Sequence, residues 1–392
     1  MIRIDACLII KNEPYCQELI ENQLTKFCDN IYIIDTGSTD NTYNILKEIE
    51  SRNSNIHIFN DYIWKDNFGE ARNYSFSKSK NADYIFWCDG DDYLPNELIN
   101  RLIQFHNENI DKLTCEMYKI PYLYSKNEMY TSLRLVRTNS NIIWKSRIHE
   151  YLEKININDP CTIDDNYFKN TYVEHKYYDI KNINRNERNF GILKLIEKNR
   201  ENFIGSNLGY YGLSLYHNNY LLLAHKIFEE LILGDLKNNY CNVDKLYGAY
   251  YCELIESEYP KFNFAIKYNE LYEHLYNQNI KRSDIVCHLG IYYFKKNFYS
   301  KAINFFKESI NLGYPNDFFD FEFHDRYSMN LKPFYYLTIC FYKIKQYNIS
   351  LYYNKLATEF IKNNNLKQQL DFDINQIINE LKDLQNKCSK YI

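Results

Sequence analysis

From Ile4 to Cys88 the chain alternates short apolar, β-rich runs with amphipathic stretches, the pattern of a parallel sheet joined by crossover helices. Ile4 to Ile10, Ile31 to Asp35 and Tyr84 to Cys88 predict strands, with a shorter one over Ile56 to Phe59. Ser38-Thr39-Asp40-Asn41-Thr42 offers cap residues ahead of a helix over Tyr43 to Glu50, and Phe68-Gly69-Glu70-Ala71 opens another running toward Ser79. Two further extended runs, Glu116 to Tyr124 and Leu133 to Val136, predict that the sheet becomes mixed before the domain closes near residue 180.

Beyond Lys181 the strand signals stop, and long amphipathic patterns continue to the C-terminus. Within them Gly212-Leu213-Ser214-Leu215-Tyr216, followed by Tyr220, Ala224 and Phe228, repeats as Gly290-Ile291-Tyr292-Tyr293-Phe294 with Phe298, Ala302 and Phe306 at identical offsets. Small residues so placed let two helices approach while the aromatic ring fills the space beside them, and the segment resembles a tetratricopeptide array. Further copies centre on Ala265 and on Leu351 after Tyr347, and an unrelated helical bundle is the alternative. The expected organisation is an α/β domain over residues 1–180 and an all-α domain over 181–392.

Composition narrows the function classes. A chain of 392 residues exceeds what one core usually organises. Hydrophobic residues at 45% and a mean hydropathy of −0.56 describe a globular chain without a membrane span. The formal charge of −4 leaves no basic excess for a nucleic-acid backbone. With 40 Tyr against 11 Gly, aromatic packing must carry much of the core. Eleven cysteines contain no C-x-x-C pair, which fits neither a zinc ribbon nor a disulfide framework. The apolar run after Asp5 is too short for a signal peptide, so a reduced, cytoplasmic protein is expected.

Neither G-x-G-x-x-G nor G-x-x-x-x-G-K occurs, so any phosphate site must balance charge in another way. Phe86-Trp87-Cys88-Asp89-Gly90-Asp91-Asp92 places an acidic cluster directly after a strand, where open α/β sheets bind their ligands. Carboxylates separated by one glycine can converge on a hard cation such as Mg2+ or Mn2+, which can bridge diphosphate oxygens. The alternative is a solvated turn with Asp92 or Asn96 capping the next helix. Asp35 ends another strand at the same edge and can accept a hydrogen bond from a base or ribose. Lys11-Asn12-Glu13 ends the first strand there and, considered alone, is a loop. Arg72, in Asp66-Asn67-Phe68-Gly69-Glu70-Ala71-Arg72-Asn73, can offer its planar fork to a diphosphate or pair with Asp66 or Glu70.

Taken together, Cys7 to Glu13, Ile34 to Thr42, Asp66 to Asn73 and Asp89-Gly90-Asp91-Asp92 resemble the ordered motifs of family-2 glycosyltransferases. Arg134-Leu135-Val136-Arg137, Trp144-Lys145-Ser146-Arg147-Ile148-His149-Glu150 and Val173-Glu174-His175 extend the match, and the helical repeats narrow it to the sublancin-type peptide S-glycosyltransferase branch. The resemblance implies a GT-A fold, a metal-dependent transfer from a nucleotide-diphosphate sugar, typically a UDP-sugar, and inversion at the anomeric carbon. It assigns Glu13, Asp35, Asp66, Arg72, Asn73, Asp89 and Gly90 to the nucleotide sugar, Asp89, Asp91 and His149 to Mn2+ or Mg2+, and Glu150 to the base, with His175 as a rival to His149. Gly90 stands where relatives often carry Ala, which loosens the turn, and Asp92 where they often carry Glu. Glu150 has a plain alternative, a salt bridge to Arg147 or Arg137. The implied acceptor is a protein or peptide, of the bacteriocin or flagellin surface-protein kind. A surface glycan with the repeats forming a homodimer, and an inactive adaptor, are the competing readings.

Overall fold

The computed structural model describes residues 1–125, 128–156, 158–176, 182–199, 207–233, 242–258, 268–277, 282–313, 331–363 and 374–392. They form two compact units, one from Met1 to Asn207 and one from Leu208 onward. The first unit therefore takes in the helix Asn182–Lys198, which the strand pattern alone grouped with the C-terminal region.

The first unit is built on a nine-stranded mixed sheet. β1 (Ile4–Ile10) lies between β2 (Asn30–Asp35) and β4 (Tyr84–Asp89), parallel to both, and β3 (Ile56–Phe59) extends the parallel part beyond β2. All seven residues of β1 are buried, as a strand covered on both faces requires. Helices α1 (Thr42–Arg52) and α2 (Phe68–Phe76) make the crossovers. After β5 (Asp92–Tyr93) and α3 (Asn96–His106), the sheet turns mixed: β6 (Met117–Ser125) and β7 (Glu128–Arg137) form an antiparallel pair, β7 lies antiparallel to β4, and β11 (Val173–His175) joins β6 to β5. Strand β7 runs longer than the apolar stretch Leu133–Val136. Its partner β6 also pairs with Thr131 and Ser132, polar residues outside that apolar stretch. The hairpin β8 (Ile142–Lys145) and β9 (Tyr151–Lys154) stands apart as a two-stranded sheet.

Register explains why the motif loops meet. Ile10 pairs with Asp35 and Ile9 with Asp89, so β1, β2 and β4 end level at one sheet edge. Toward the opposite end of β4, Phe105 packs its ring 5.3 Å from Tyr84, 4.9 Å from Tyr118 and 5.7 Å from Phe168, part of the aromatic core that the Tyr count foretells. Asp40, one of the cap candidates ahead of α1, accepts the Thr42 amide on Oδ1 at 2.9 Å, while Asn41 makes no side-chain cap. Pro95 precedes α3, so neither Asp92 nor Asn96 caps it. A π-helical turn at Glu18–Gln23 escapes periodicity analysis altogether, although Leu19 and Ile20 are buried.

The second unit is helical. Among its described helices, α5 (Asn207–His217) pairs with α6 (Leu221–Leu233), and α9 (Ser283–Lys295) with α10 (Tyr299–Leu312). A Cβ at Gly212 would lie 2.6 Å from Phe228, and one at Gly290 would lie 2.6 Å from Phe306, so both repeat copies use glycine for the same close approach. Both turns are also alike: Asn219 (φ 62°) and Asn297 (φ 64°) are left-handed, and the amides of Tyr220 and Phe298 reach back to Leu215 and Tyr293 at 2.9 Å. Left-handed Lys345 (φ 61°) builds the same turn between the helices Leu331–Lys343 and Tyr347–Asn363, where Gln346 donates to Phe341. Counting five residues on, as from Asn219 to Ala224, places a third copy at Ser350, one residue before Leu351. There Thr338, Ser350 and Asn354 replace Gly, Ala and Phe, all buried, with Ser350 Oγ donating to the Thr338 carbonyl at 2.8 Å. Polar residues at core sites hid this copy from the apolar pattern. The copy at Ala265 lies outside the described residues.

Gly290→Ala should destabilise the helical unit by about 1–3 kcal/mol through overpacking, read from urea denaturation followed by the helical circular dichroism signal. A smaller ring-free residue in Gly290→Ala/Phe306→Leu should recover part of that loss.

Candidate functional site

The site assembles from four pieces at the shared sheet edge. The first is the turn after β4. Alternation along β4 sends Phe86 and Cys88 into the main core and turns Trp87 and Asp89 to the opposite face. Asp92 folds back so that its Oδ2 accepts the Asp89 amide at 2.9 Å and pairs with Arg134 Nη1 at 2.8 Å. Arg134 is only 2% exposed and lies 3.9 Å from the Trp87 ring centre. Burial opposes its charge, yet Asp92 keeps the guanidinium protonated. Burial and the carboxylates of Asp89 and Asp91 push the Asp92 acid up to about 6 against the pull of Arg134. The motif Arg134-Leu135-Val136-Arg137 carries no role for Arg134 by itself; a charged residue between Leu133 and Leu135 is the signal that the sequence offers.

The second piece is α2. Asn67 Oδ1 accepts the Glu70 amide at 3.0 Å and so caps the helix. Arg72 then emerges one turn along, donating from Nη2 to Asp89 at 2.8 Å and from Nε to Glu150 at 2.7 Å. Neither Asp66 nor Glu70 is its partner, and neither Arg147 nor Arg137 is the partner of Glu150. The Arg72 side chain is 8% exposed and stacks 4.5 Å from Trp87 and 5.1 Å from Trp144. Burial works against its charge, but Asp89 and Glu150 prevail and hold it protonated. Burial tends to raise the Asp89 acid, and Arg72 overcomes that to keep it below the usual carboxylate range.

The third piece is the hairpin loop between β8 and β9, which carries His149 and Glu150. Asn73 spends its side-chain amide on both backbone groups of Trp144, at 2.9 and 2.8 Å. Gly69 lets the loop close in, because a Cβ there would lie 2.4 Å from the Ser146 carbonyl. Asn73 thus fastens the hairpin to α2. Ser146 (φ 76°) and His149 (φ 50°) are both left-handed, bending the loop so that Glu150 reaches Arg72. His149 is exposed at the surface, and desolvation by the neighbouring chain, then the charge of Arg188, lowers its pKa to about 4.

The fourth piece is formed by the loops after β1 and β2. Asp35 Oδ1 accepts the amides of Gly37 and Ser38 at 2.8 and 2.7 Å, while its Oδ2 is buried without a hydrogen-bond partner. Left-handed Asn12 (φ 56°) ties the two loops together, its amide donating to Ser38 Oγ at 3.0 Å and its Oδ1 accepting the Thr39 amide at 2.7 Å. Glu13, 9% exposed, lies against Gly90: a Cβ at residue 90 would stand 1.8 Å from Glu13 Oε2. Gly90 thus leaves open the space that the Glu13 carboxylate occupies. Asp66 (φ 51°) faces elsewhere, accepting the Trp64 indole N–H at 2.8 Å.

Asp89, Asp91 and Asp92 each offer a carboxylate oxygen within 4.8 Å of the others, the group of metal-capable side chains among the described residues. His149 is not in it. His175 stands beside it, with Nε2 3.2 Å from Asp91 Oδ2. Hard oxygen donors suit Mg2+ or Mn2+, which keep waters and bind substrate phosphates through one or two carboxylates. Arg72 takes one oxygen of Asp89 and Arg134 one oxygen of Asp92, and the three acids together supply oxygen donors that fit such an ion.

Residues 6–169 match the family described as Glycosyl transferase family 2, a span of less than half the chain. The first unit carries a glycosyltransferase domain, and its mixed sheet with flanking helices is GT-A-like. A comparison with curated proteins finds no match. Among solved structures, S. aureus TarS 1-349 is similar at 11% identity and a TM-score of 0.35, over 95% of this chain and 94% of that one. S. aureus TarS aligns at 11% and 0.36, over 83% of this chain and 57% of that one, and TarS 1-349 in complex with UDP at 13% and 0.35, over 83% and 97%.

Removing Arg134 alone, as in Arg134→Met, should cost about 3–5 kcal/mol by leaving Asp92 buried opposite no cation. Urea denaturation checks this, and Arg134→Met/Asp92→Leu should lose less than the single change.

Proposed function

We propose that this glycosyltransferase domain moves a sugar, with inversion, from a UDP-sugar to a side chain of a protein or peptide, using Mn2+ or Mg2+. The observation that carries the reading is the Arg72 bridge, which joins Asp89 on the leaving-group side to Glu150 on the acceptor side in one crevice. Asp35 Oδ2, buried without a partner, is an acceptor suited to a base or ribose donor. Asp89 and Asp91 would hold the divalent cation, which neutralises charge on a departing diphosphate.

The rest falls to the chain itself. As the bond from the anomeric carbon to the diphosphate breaks, the Arg72 guanidinium offsets the negative charge gathering on the leaving group. The acceptor oxygen or sulfur forms its new bond from the opposite face, and Glu150 takes the proton. A cysteine thiolate acceptor would need that base less. Turning Arg72 toward the diphosphate frees Glu150 for this step, so donor binding and base release are linked through one side chain. His149, with its pKa lowered, is assigned to the diphosphate. Asp66 and Asn73 support the site from behind, through Trp64 and Trp144.

The helical unit, with three like-built turns, is read as a tetratricopeptide-like array that grips the acceptor chain. No helix among the described residues is long and apolar enough to cross a membrane. No disulfide joins the described cysteines, which supports a reducing, cytoplasmic setting.

Asp91→Ala should abolish transfer and Mn2+-assisted UDP binding by calorimetry; full turnover would sink the metal assignment. Glu150→Gln should retain UDP affinity while turnover falls about 10²–10⁴-fold, and unchanged turnover would reassign the base. Mass spectrometry of peptides and surface glycans incubated with UDP-sugars decides the acceptor: sugar found on glycans alone would overturn the peptide reading.

A further inference from the structure

We propose that Glu13 is a positioning residue of the donor site, whose carboxylate fills the space of a missing side chain at Gly90 and holds the Asp89-Gly90-Asp91 turn in place. The inference rests on the functional reading above and gives Glu13, which the resemblance assigns to the nucleotide sugar, a task behind the turn that no motif specifies. Its starting point is a steric fact: the Cβ that any other residue would carry at position 90 falls 1.8 Å from Glu13 Oε2 and 3.0 Å from Glu13 Cδ, with Ile10 Cγ1 at 3.2 Å. Glycine and glutamate therefore share one volume, and it lies at the middle residue between the two acids assigned to the cation.

Glu13 reaches that place by design of its own loop. Asn12 adopts a left-handed conformation and is anchored on Ser38 and Thr39, and the Glu13 carbonyl accepts the Cys16 amide at 3.1 Å. The backbone on both sides of Glu13 is thus held, and its nearly buried side chain is aimed beneath the turn. Through Glu13 the loop after β1 supports the turn after β4, while Asn12 links the same loop to the one after β2. Packing against the turn backbone limits the heights at which Asp89 and Asp91 can stand, as residues behind metal ligands commonly do.

The atom that an alanine methyl would strike is the end of a flexible side chain, so Gly90→Ala should evict the Glu13 carboxylate rather than break the sheet. That makes a double-mutant cycle informative. Mn2+ binding to the full chain in the presence of UDP, followed by electron paramagnetic resonance, is measured for the wild type, Glu13→Ala, Glu13→Gln, Gly90→Ala and Gly90→Ala/Glu13→Ala, with thermal denaturation as a control on folding. Each of Glu13→Ala and Gly90→Ala should weaken Mn2+ binding by about 10–100-fold. The double variant should be no weaker than Gly90→Ala, because the methyl enters space that Glu13 has vacated. Glu13→Gln, which keeps the shape, should recover most of the affinity lost in Glu13→Ala. Wild-type affinity in Gly90→Ala, or losses that simply multiply in the double variant, would overturn the role of Glu13. If Gly90→Ala does not fold, wild-type affinity in Glu13→Ala overturns it and a loss rescued by Glu13→Gln upholds it. Wild-type protein that binds neither Mn2+ nor UDP would instead overturn the functional reading on which the proposal stands.

Discussion

The crevice depends on placing two buried arginines against three crowded carboxylates. Acid oxygens within 4.8 Å of one another repel by roughly 3–4 kcal/mol per ionised pair at an effective dielectric of about 20. Contacts of 2.8 Å from Arg72 to Asp89 and from Arg134 to Asp92 return more than that in attraction. Trp87 stands between the guanidiniums, with both stacked on its ring, which offers them a polarisable face in place of water. Arg134 is locked in a buried pair, whereas Asp89 keeps 34% of its side chain in contact with solvent. The cluster is therefore rigid at its base and open at its mouth.

Close backbone and side-chain approach is the second constraint. Gly69 admits the Ser146 carbonyl, and Gly90 admits the Glu13 carboxylate. Asn73 replaces a strand partner for Trp144 by offering one donor and one acceptor from a helix. These contacts bring the hairpin loop with Glu150 within reach of a helix more than seventy residues earlier in the chain. The same economy recurs in the helical unit, where Gly212 and Gly290 receive phenylalanine rings and three left-handed residues turn one helix into the next.

Much of the architecture was legible along the chain because the parallel strands are short, apolar and bounded by polar turns. Ile4–Ile10 and Ile56–Phe59 begin and end where the hydrophobic pattern does. The polar half of β7, the π-helical turn and the third helical hairpin were not legible, since each owes its form to partners distant in sequence. Thr338, Ser350 and Asn354 occupy core positions with polar side chains, and each donates to a backbone carbonyl, of Phe334, Thr338 and Leu381 in turn, which makes it acceptable there.

The order of residue types along the chain determined that acids would gather after the fourth strand, that Asp35 would stand at the same edge and that helices would follow. Strand alternation and the sheet's shared edge are local rules that need nothing else. Which charge meets which was decided in three dimensions. Arg72 passes over Asp66 and Glu70, its near neighbours, for Asp89 and Glu150, because the capped helix aims it into the crevice. The motif placed Glu13 at the site's edge, but its fit into the unfilled Cβ volume at Gly90 is a match of shapes that only folding makes.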